Sequence, residues 1–292
     1  MATLRDIRLW KRPKACGWIA AEIAALDPTK PADADRIVLL STTRLLPPLG
    51  APLIFNLLYC LGFMRISGQV EGARVVDGSG KIHRAPERRA EETIRHFVTW
   101  IGHGPGSDAG AASLASVRRI HDHYARRYPI SNETHVHTIA LFAVQFDHLL
   151  RLVGAPGYSE AERHAQVVHW RGIGERLGVR EMPTTWQGME RVLEDHERDP
   201  RWYAPTPEGH RCAESLIAYF AARWLPPGLR WAARPLLLSL LPDHILVAIG
   251  EPRPPRPVVW LVRHGIRLGL RLDESFLPER REPVDLATVL AA

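Results

Sequence analysis

The side chains best suited to chemistry occupy two helical stretches in the first half of the sequence. Arg89, Glu92 and Thr93 lie on the first stretch, and His121 lies on the second. At about 100° per residue, the first three fall within roughly one turn, at the edge of an apolar stripe. Polar groups at such an edge suit the wall of a pocket, and a neutral imidazole is a common metal ligand.

His121 lies in an apolar row of the second stretch, whereas the neighbouring His123 points away from that row toward solvent. The row is completed by Leu114, Val117, Tyr124 and Tyr128. A histidine in such a row is either a hydrogen-bonded core residue or an axial ligand, as in many haem proteins. The pattern alone leaves both interpretations open.

Other metal sites are disfavoured by the spacing of the histidines. The pairs His121/His123 and His135/His137 are each two residues apart. On a helix that spacing separates two side chains by about 200°, so neither pair can bind one ion. The sequence also lacks a His-Glu-x-x-His motif and a carboxylate-rich calcium loop.

The composition is that of an ordinary folded protein. The chain has 292 residues, of which 46% are hydrophobic and 24% charged, and a formal net charge of +6. The basic excess is mostly arginine, is spread beside acidic residues and forms no long run. This distribution argues against a nucleic-acid partner. Contact with anionic lipid accounts better for the excess of basic residues.

The cysteines and the N-terminus favour a cytoplasmic protein. Cys16, Cys60 and Cys212 are odd in number and widely spaced, which suits a reducing compartment. No Cys-x-x-Cys-His motif occurs, so any haem would be held non-covalently. Glu22 interrupts the first apolar stretch, and neither a signal peptide nor a twin-arginine motif is predicted.

The most apolar region, residues 38–66, is predicted to be buried. Prolines and a glycine leave an uninterrupted span, 52–66, of about 15 residues, which is shorter than the roughly 20 that a spanning helix needs. A re-entrant or interfacial segment is the alternative, with peripheral membrane contact through this span and the arginines. Residues 67–86 contain four glycines and are expected to form a loop with a small hairpin.

Helical periodicity and capping signals dominate the remainder, and almost no stretch alternates with period two. The fold is therefore predicted to be all-α. Three regions are expected: an N-terminal helical extension (1–34), a single all-α domain (35–275) and an exposed C-terminal tail (276–292). Predicted helices begin near Ser131, Ser159, Thr185 and Thr206 and span 229–241 and 258–270.

An ordered set of short motifs resembles the MpaB-type oxygenase and rubber oxygenase (latex clearing protein) family over residues 50–200. The motifs are Arg89-x-x-Glu92-Thr93, Ile120-His121-x-x-Tyr124, Pro129-Ile130-Ser131-Asn132-Glu133 and Trp170-x-x-x-Gly174. The resemblance implies a globin-like, all-α, haem-binding core with additional flanking helices.

The resemblance also implies roles for individual residues. His121 is expected to ligate the iron of a non-covalent haem b, with Val117 in the proximal wall. Arg89, Glu92 and Thr93 are expected on the distal side as the catalytic group, and Arg89 and Thr93 also contact the cofactor. Arg118 or Arg119 is expected near a haem propionate, and the sequence does not decide between them.

Glu92 departs from the rubber oxygenase pattern, in which a lysine precedes the threonine. A glutamate is a poorer ligand for ferrous iron than a lysine, so the MpaB-like branch is favoured over rubber cleavage. Arg89 is expected to pair with Glu92 across i and i+3. If burial raises the pKa of Glu92 while Arg89 lowers it, Glu92 could act as a general base. The alternative is a solvated salt bridge, with Thr93 at the edge of the core.

The predicted function is that of a haem b-dependent oxygenase. It would use dioxygen to cleave an apolar substrate oxidatively, an isoprenoid or an unsaturated lipid-like molecule. Two alternatives remain open: a haem-binding sensor or carrier without turnover, and a helical lipid- or partner-binding protein. The expected location is the cytoplasm, either free or attached to a membrane surface.

Overall fold

Every extended regular element in the described part of the molecule is a helix. The computed structural model describes residues 17–46, 50–276, 282–283 and 286. Within these ranges no strand forms, apart from an isolated antiparallel bridge between Gln69 and Tyr203. The all-α fold predicted from the sequence is therefore confirmed.

The first seven helices carry the predicted chemistry. They are α1 (Gly17–Ala24), α2 (Pro31–Leu45), α3 (Ala51–Gly68), α4 (Val70–Ser79), α5 (Lys81–Arg84), α6 (Pro86–His103) and α7 (Asp108–Ala125). α6 packs against α7, and α3 packs against both α4 and α6. This arrangement brings the two predicted functional stretches side by side. The predicted domain boundary at residue 34 falls inside α2, and the domain limits remain predictions.

Seven further α-helices complete the fold. They are α8 (Asn132–Leu152), α9 (Glu160–Leu177), α10 (Trp186–Arg198), α11 (Pro207–Trp224), α12 (Ala233–Leu238), α13 (Asp243–Ala248) and α14 (Arg256–Phe276). A 3-10 helix, Pro227–Ala232, precedes α12, so the single helix expected over 229–241 is divided into shorter pieces. α14 extends beyond the predicted 258–270, and most of the predicted tail lies outside the described residues.

α3 is a core helix. Among the described helices it alone is long and apolar enough to cross a membrane, with a mean hydropathy of 1.3, and 67% of it is buried inside the protein. It packs against α4, α6, α8 and α11. The predicted burial of residues 52–66 is confirmed, and a largely covered helix is poorly placed to contact lipid.

The hairpin expected between residues 67 and 86 is wrong, because α4 and α5 occupy this region. The glycines that suggested a loop have packing and turning roles instead. A Cβ on Gly72 would lie 2.4 Å from the backbone oxygen of Ile66, so only glycine allows this close approach. Gly80 has φ +66° and separates the two helices.

The capping signals located several helix ends correctly. Ser131 and Ser159 accept hydrogen bonds from the backbone N–H groups of Thr134 and Glu162, and Ser159 forms a full capping box. Thr185 and Thr206 cap α10 and α11 in the same way. Short-range sequence signals of this kind are reliable because each one satisfies a backbone group locally.

Two glycine-to-alanine substitutions should change stability in opposite directions. Gly72→Ala should lower the free energy of unfolding by about 1–3 kcal/mol, since its Cβ would collide with the α3 backbone. Gly265→Ala lies in α14 with no atom within 4 Å of an added Cβ. It should raise the free energy of unfolding by about 0.5–1 kcal/mol. Urea unfolding measures both, and a stabilising Gly72→Ala would contradict the close packing of α3 and α4.

Candidate functional site

One cavity of about 590 Å³ lies between α3, α4, α6, α7 and α8. Its apolar wall includes Phe63, Phe97, Val117, Ile139 and Phe142. Exposed side chains of α7, among them Ile120 and His123, form part of its lining. The cavity therefore reaches the surface along α7. Its volume lies in the range of small-molecule and cofactor sites.

All five residues singled out from the sequence line this cavity: Arg89, Glu92, Thr93, Val117 and His121. The first three project from α6 and the other two from α7. The polar stripe predicted on α6 is therefore part of the cavity wall. The fold brings the candidate residues together, while their individual roles remain predictions.

His121 presents an imidazole that makes no hydrogen bond with any residue in the described part of the chain. It is partly buried, and its ring stacks on that of His135 from α8, with centroids 5.6 Å apart and planes at 29°. Burial, together with a smaller effect of the neighbouring His135, lowers the pKa of His121 to about 4. The ring is therefore neutral at neutral pH, which is the form that ligates metals.

Arg89 is held in the cavity wall by the aromatic ring of Phe63. Its guanidinium carbon lies 4.9 Å from the ring centroid, a cation–π distance. Its Nε is buried with no hydrogen-bond partner in the described structure, and so is Nε1 of Trp100, which lines the same cavity. Buried donors normally find an acceptor, so these two unsatisfied donors are an unusual feature of the residues that line the cavity.

The predicted pairing of Arg89 with Glu92 is wrong. Glu92 instead bonds to Lys81 through Oε2 and accepts a 2.9 Å hydrogen bond from Nε of Arg88 through Oε1. The hydrogen bond from Lys81 lowers the pKa of Glu92, and Arg88 adds to the effect. The glutamate side chain is 42% exposed, and the raising effect of its partial burial is outweighed by Lys81 and Arg88.

Three lining residues were not assigned a site role from the sequence. Lys81 was missed because its helix was expected to be a loop. His135 was considered only beside His137, yet it meets His121 across two helices. His96 of α6 also lines the cavity, and its Nδ1 lies 2.7 Å from the hydroxyl of Ser113 on α7. Of the two arginines left open, Arg119 lines the cavity and Arg118 does not.

A cluster of buried polar side chains lies next to the cavity and includes one of its lining residues. Gln69, a lining residue, donates through Nε2 to Nδ1 of His137, and Nε2 of His137 lies 3.2 Å from Oε1 of Glu197. Arg65 and His244 also bond to Glu197. This cluster could not be inferred from the sequence, because its members come from four separate segments.

The described helices surround a cavity with a neutral imidazole that has no hydrogen-bond partner, an arginine and apolar walls. These features define a helical protein with a site suited to a cofactor. The chain belongs to the family described as ER-bound oxygenase mpaB/B'/rubber oxygenase, catalytic domain, whose model matches residues 35–269. The family predicted from the sequence motifs is therefore confirmed.

One similar solved structure is titled "Structure of Latex Clearing Protein LCP in the closed state". It covers 97% of this chain and 91% of its own, with a TM-score of 0.63 and 18% sequence identity. At this identity the likeness supports the shared helical fold alone. No curated protein sequence matches the chain.

His121 should contribute to acid sensitivity in the protein without a bound cofactor. Its pKa is about 4 in the folded state against an ordinary value of 6.5, so only the unfolded chain gains a proton between these values. The stability that it contributes is complete above about pH 6.5 and is lost as the pH falls toward 4. His121→Gln should remove about 2 kcal/mol of the difference in unfolding free energy between about pH 7.5 and 5.

Urea unfolding at the two pH values measures this effect, and His123→Gln is the matched control on the exposed side of the same helix. If His121→Gln leaves the difference between the two pH values intact, the imidazole is not protected from protonation as the structure indicates.

Proposed function

We propose that this protein is a haem b-dependent oxygenase that uses dioxygen to cleave an apolar, unsaturated substrate. The family to which the chain belongs supports oxygenase activity. The observation that carries the haem assignment is the neutral, unpaired imidazole of His121 in a cavity with apolar walls. The cofactor and the substrate class are the parts of this proposal that need experiment.

The residues present fit a haem. A porphyrin needs an axial base, apolar walls for its macrocycle and cations for its propionates. His121 supplies the base, and Val117, one turn before it on α7, and Phe142 supply apolar surface. Arg119 lines the cavity and is exposed, which suits a residue that pairs with a propionate at the surface. A bound haem would supply the one-electron and dioxygen chemistry that amino-acid side chains lack.

The side chains of α6 would position the reactants. Arg89 keeps a fixed positive charge in the wall, because its planar guanidinium is held against Phe63. As a lining residue with five N–H donors, it would donate to an oxygen atom of a bound reactant. Thr93, one turn further along α6, offers a hydroxyl to the same cavity. The apolar side chains across the cavity exclude water and favour a hydrocarbon substrate.

Glu92 is better suited to hold Lys81 than to take a proton from a substrate. Its pKa is lowered by Lys81 and Arg88, and a weaker base accepts a proton less readily. The general-base role remains a prediction with this argument against it. Since Lys81 lines the cavity, its pairing with Glu92 fixes where the ammonium group lies.

The haem prediction is tested by absorbance after the purified protein is supplied with haemin. The wild-type protein should show a Soret band, and His121→Ala should lose it or shift it to that of a species without histidine ligation. His123→Ala, two residues away, removes an exposed imidazole that also lines the cavity and should leave the spectrum unchanged if His121 is the ligand. His135→Ala is the informative third variant, because its ring stacks on His121 in the same cavity.

No Soret band in the wild type, or equal loss from His121→Ala and His123→Ala, would overturn the assignment. Loss from His135→Ala with a normal His121→Ala spectrum would transfer the ligand role to His135. A Soret band without oxygen consumption on polyisoprenoid or unsaturated lipid substrates would support a haem sensor or carrier instead.

The role of Glu92 is tested by comparing it with its lysine partner. If Glu92 is a general base, Glu92→Gln should retain haem and lose turnover by about 100-fold or more, while Lys81→Gln keeps activity. If Glu92 only holds Lys81, the two variants should have equal effects on turnover. Oxygen consumption at saturating substrate distinguishes these results, and normal turnover by Glu92→Gln would exclude a catalytic role.

A further inference from the structure

The exposed apolar side chains concentrate in the C-terminal part of the structure. α14 carries four of them: Trp260, Leu261, Leu268 and Leu272 are 47–64% exposed. Trp231, on the 3-10 helix, is 72% exposed, and α12 packs against both of these elements. By contrast, α3, the helix with the most membrane-like composition, is mostly buried.

α14 has two apolar faces, and only one of them is covered. Its inner face, which includes Ile266 and Leu270, packs against the hydrophobic core. At about 100° per residue, Leu261, Leu268 and Leu272 lie within about 40° of one another on the outer face. This outer face, defined by the three leucines, extends over about three turns, with His264 and Gly265 between Leu261 and Leu268.

A row of arginines borders the outer face on one side. Arg256, Arg263, Arg267 and Arg271 fall within about 80° of one another around the helix. Arg256 is exposed, the other three are partly buried, and Arg263 donates to the backbone oxygen of Ser239. Trp260 lies on the leucine side of this row and stacks on His264, with ring centroids 4.2 Å apart. From residue 256 to residue 272 the helix contains no acidic residue.

We propose that α14 lies in the surface of an anionic membrane, with the leucine face inserted and the arginine row facing the lipid headgroups. An apolar face flanked by arginines, with tryptophan at the boundary, is the pattern of an interfacial helix. Anionic lipid complements the row of positive charge. This proposal is independent of the proposed oxygenase function.

A second copy of the chain fits this surface less well. A symmetric pair of α14 helices would bring two arginine rows together, and the acidic residues of this helix, Asp273 and Glu274, lie only in its last turn. The C-terminal tail is also an unsuitable cover where it is described, because Leu286 is buried and lies near Gly102 of α6.

Flotation of the full-length protein with phospholipid vesicles tests the proposal without haem or substrate. The protein should float with vesicles of equal parts phosphatidylcholine and phosphatidylglycerol, bind phosphatidylcholine alone more weakly, and dissociate as salt is raised. Leu268→Gln should weaken binding roughly tenfold or more, because it removes a leucine that would be buried in lipid. Leu53→Gln is the control, since Leu53 is 39% exposed on α3.

The proposal fails if the wild-type protein does not float with anionic vesicles, or if Leu268→Gln binds them as well as Leu53→Gln does. Light scattering on the protein without vesicles tests whether it forms a dimer. A dimer that Leu268→Gln dissociates would show that the leucine face is an interface between two copies, which also overturns the proposal.

Discussion

The relative positions of α3, α8, α10 and α13 depend on one buried carboxylate. Glu197 of α10 has a side chain that is 4% exposed, and it bonds to Arg65 of α3, His137 of α8 and His244 of α13. Burial alone would raise the pKa of Glu197, but Arg65 and the two histidines more than offset this and lower it. Removing one partner of a buried charge commonly costs about 3–5 kcal/mol. The four helices are therefore bound to a common geometry that satisfies this charge.

The same constraint extends to the wall of the cavity. His137 connects Glu197 to Gln69, which lies at the start of α4, and the phenol of Tyr203 donates to the backbone oxygen of Arg65. These bonds fix where α4 begins relative to α8. Because the imidazole of His121 stacks on His135 of α8, the buried cluster and the candidate ligand share a supporting helix. Because the network positions α8, the imidazole that stacks on it can keep its position without a bound cofactor.

Helix starts could be predicted from the sequence because their signals are local, whereas contacts between helices could not. Ser159 with Glu162, and Thr206 before a proline, located helix starts because a cap satisfies its own backbone. Residues 67–86 were wrongly predicted to form a loop, because Gly72 is required by a close contact with α3 and not by a turn. The periodicity of α6 and α7 placed the candidate residues on a common cavity. It could not reveal that Glu92 pairs with Lys81, since that contact depends on a helix that was not expected.

The pairing of Lys81 with Glu92 changes how the departure from the rubber oxygenase pattern is interpreted. Judged from the motif alone, a glutamate in place of lysine removes a cation from the site. In the folded protein a lysine is still present in the cavity wall, but it comes from α5 and is held by that glutamate. Its ammonium group is therefore balanced by the carboxylate of Glu92. Arg89 does not pair with Glu92 and packs on Phe63 instead, so the two cations of the wall have different partners. The motif by itself does not specify this distribution of charge, because it depends on the contact between α5 and α6.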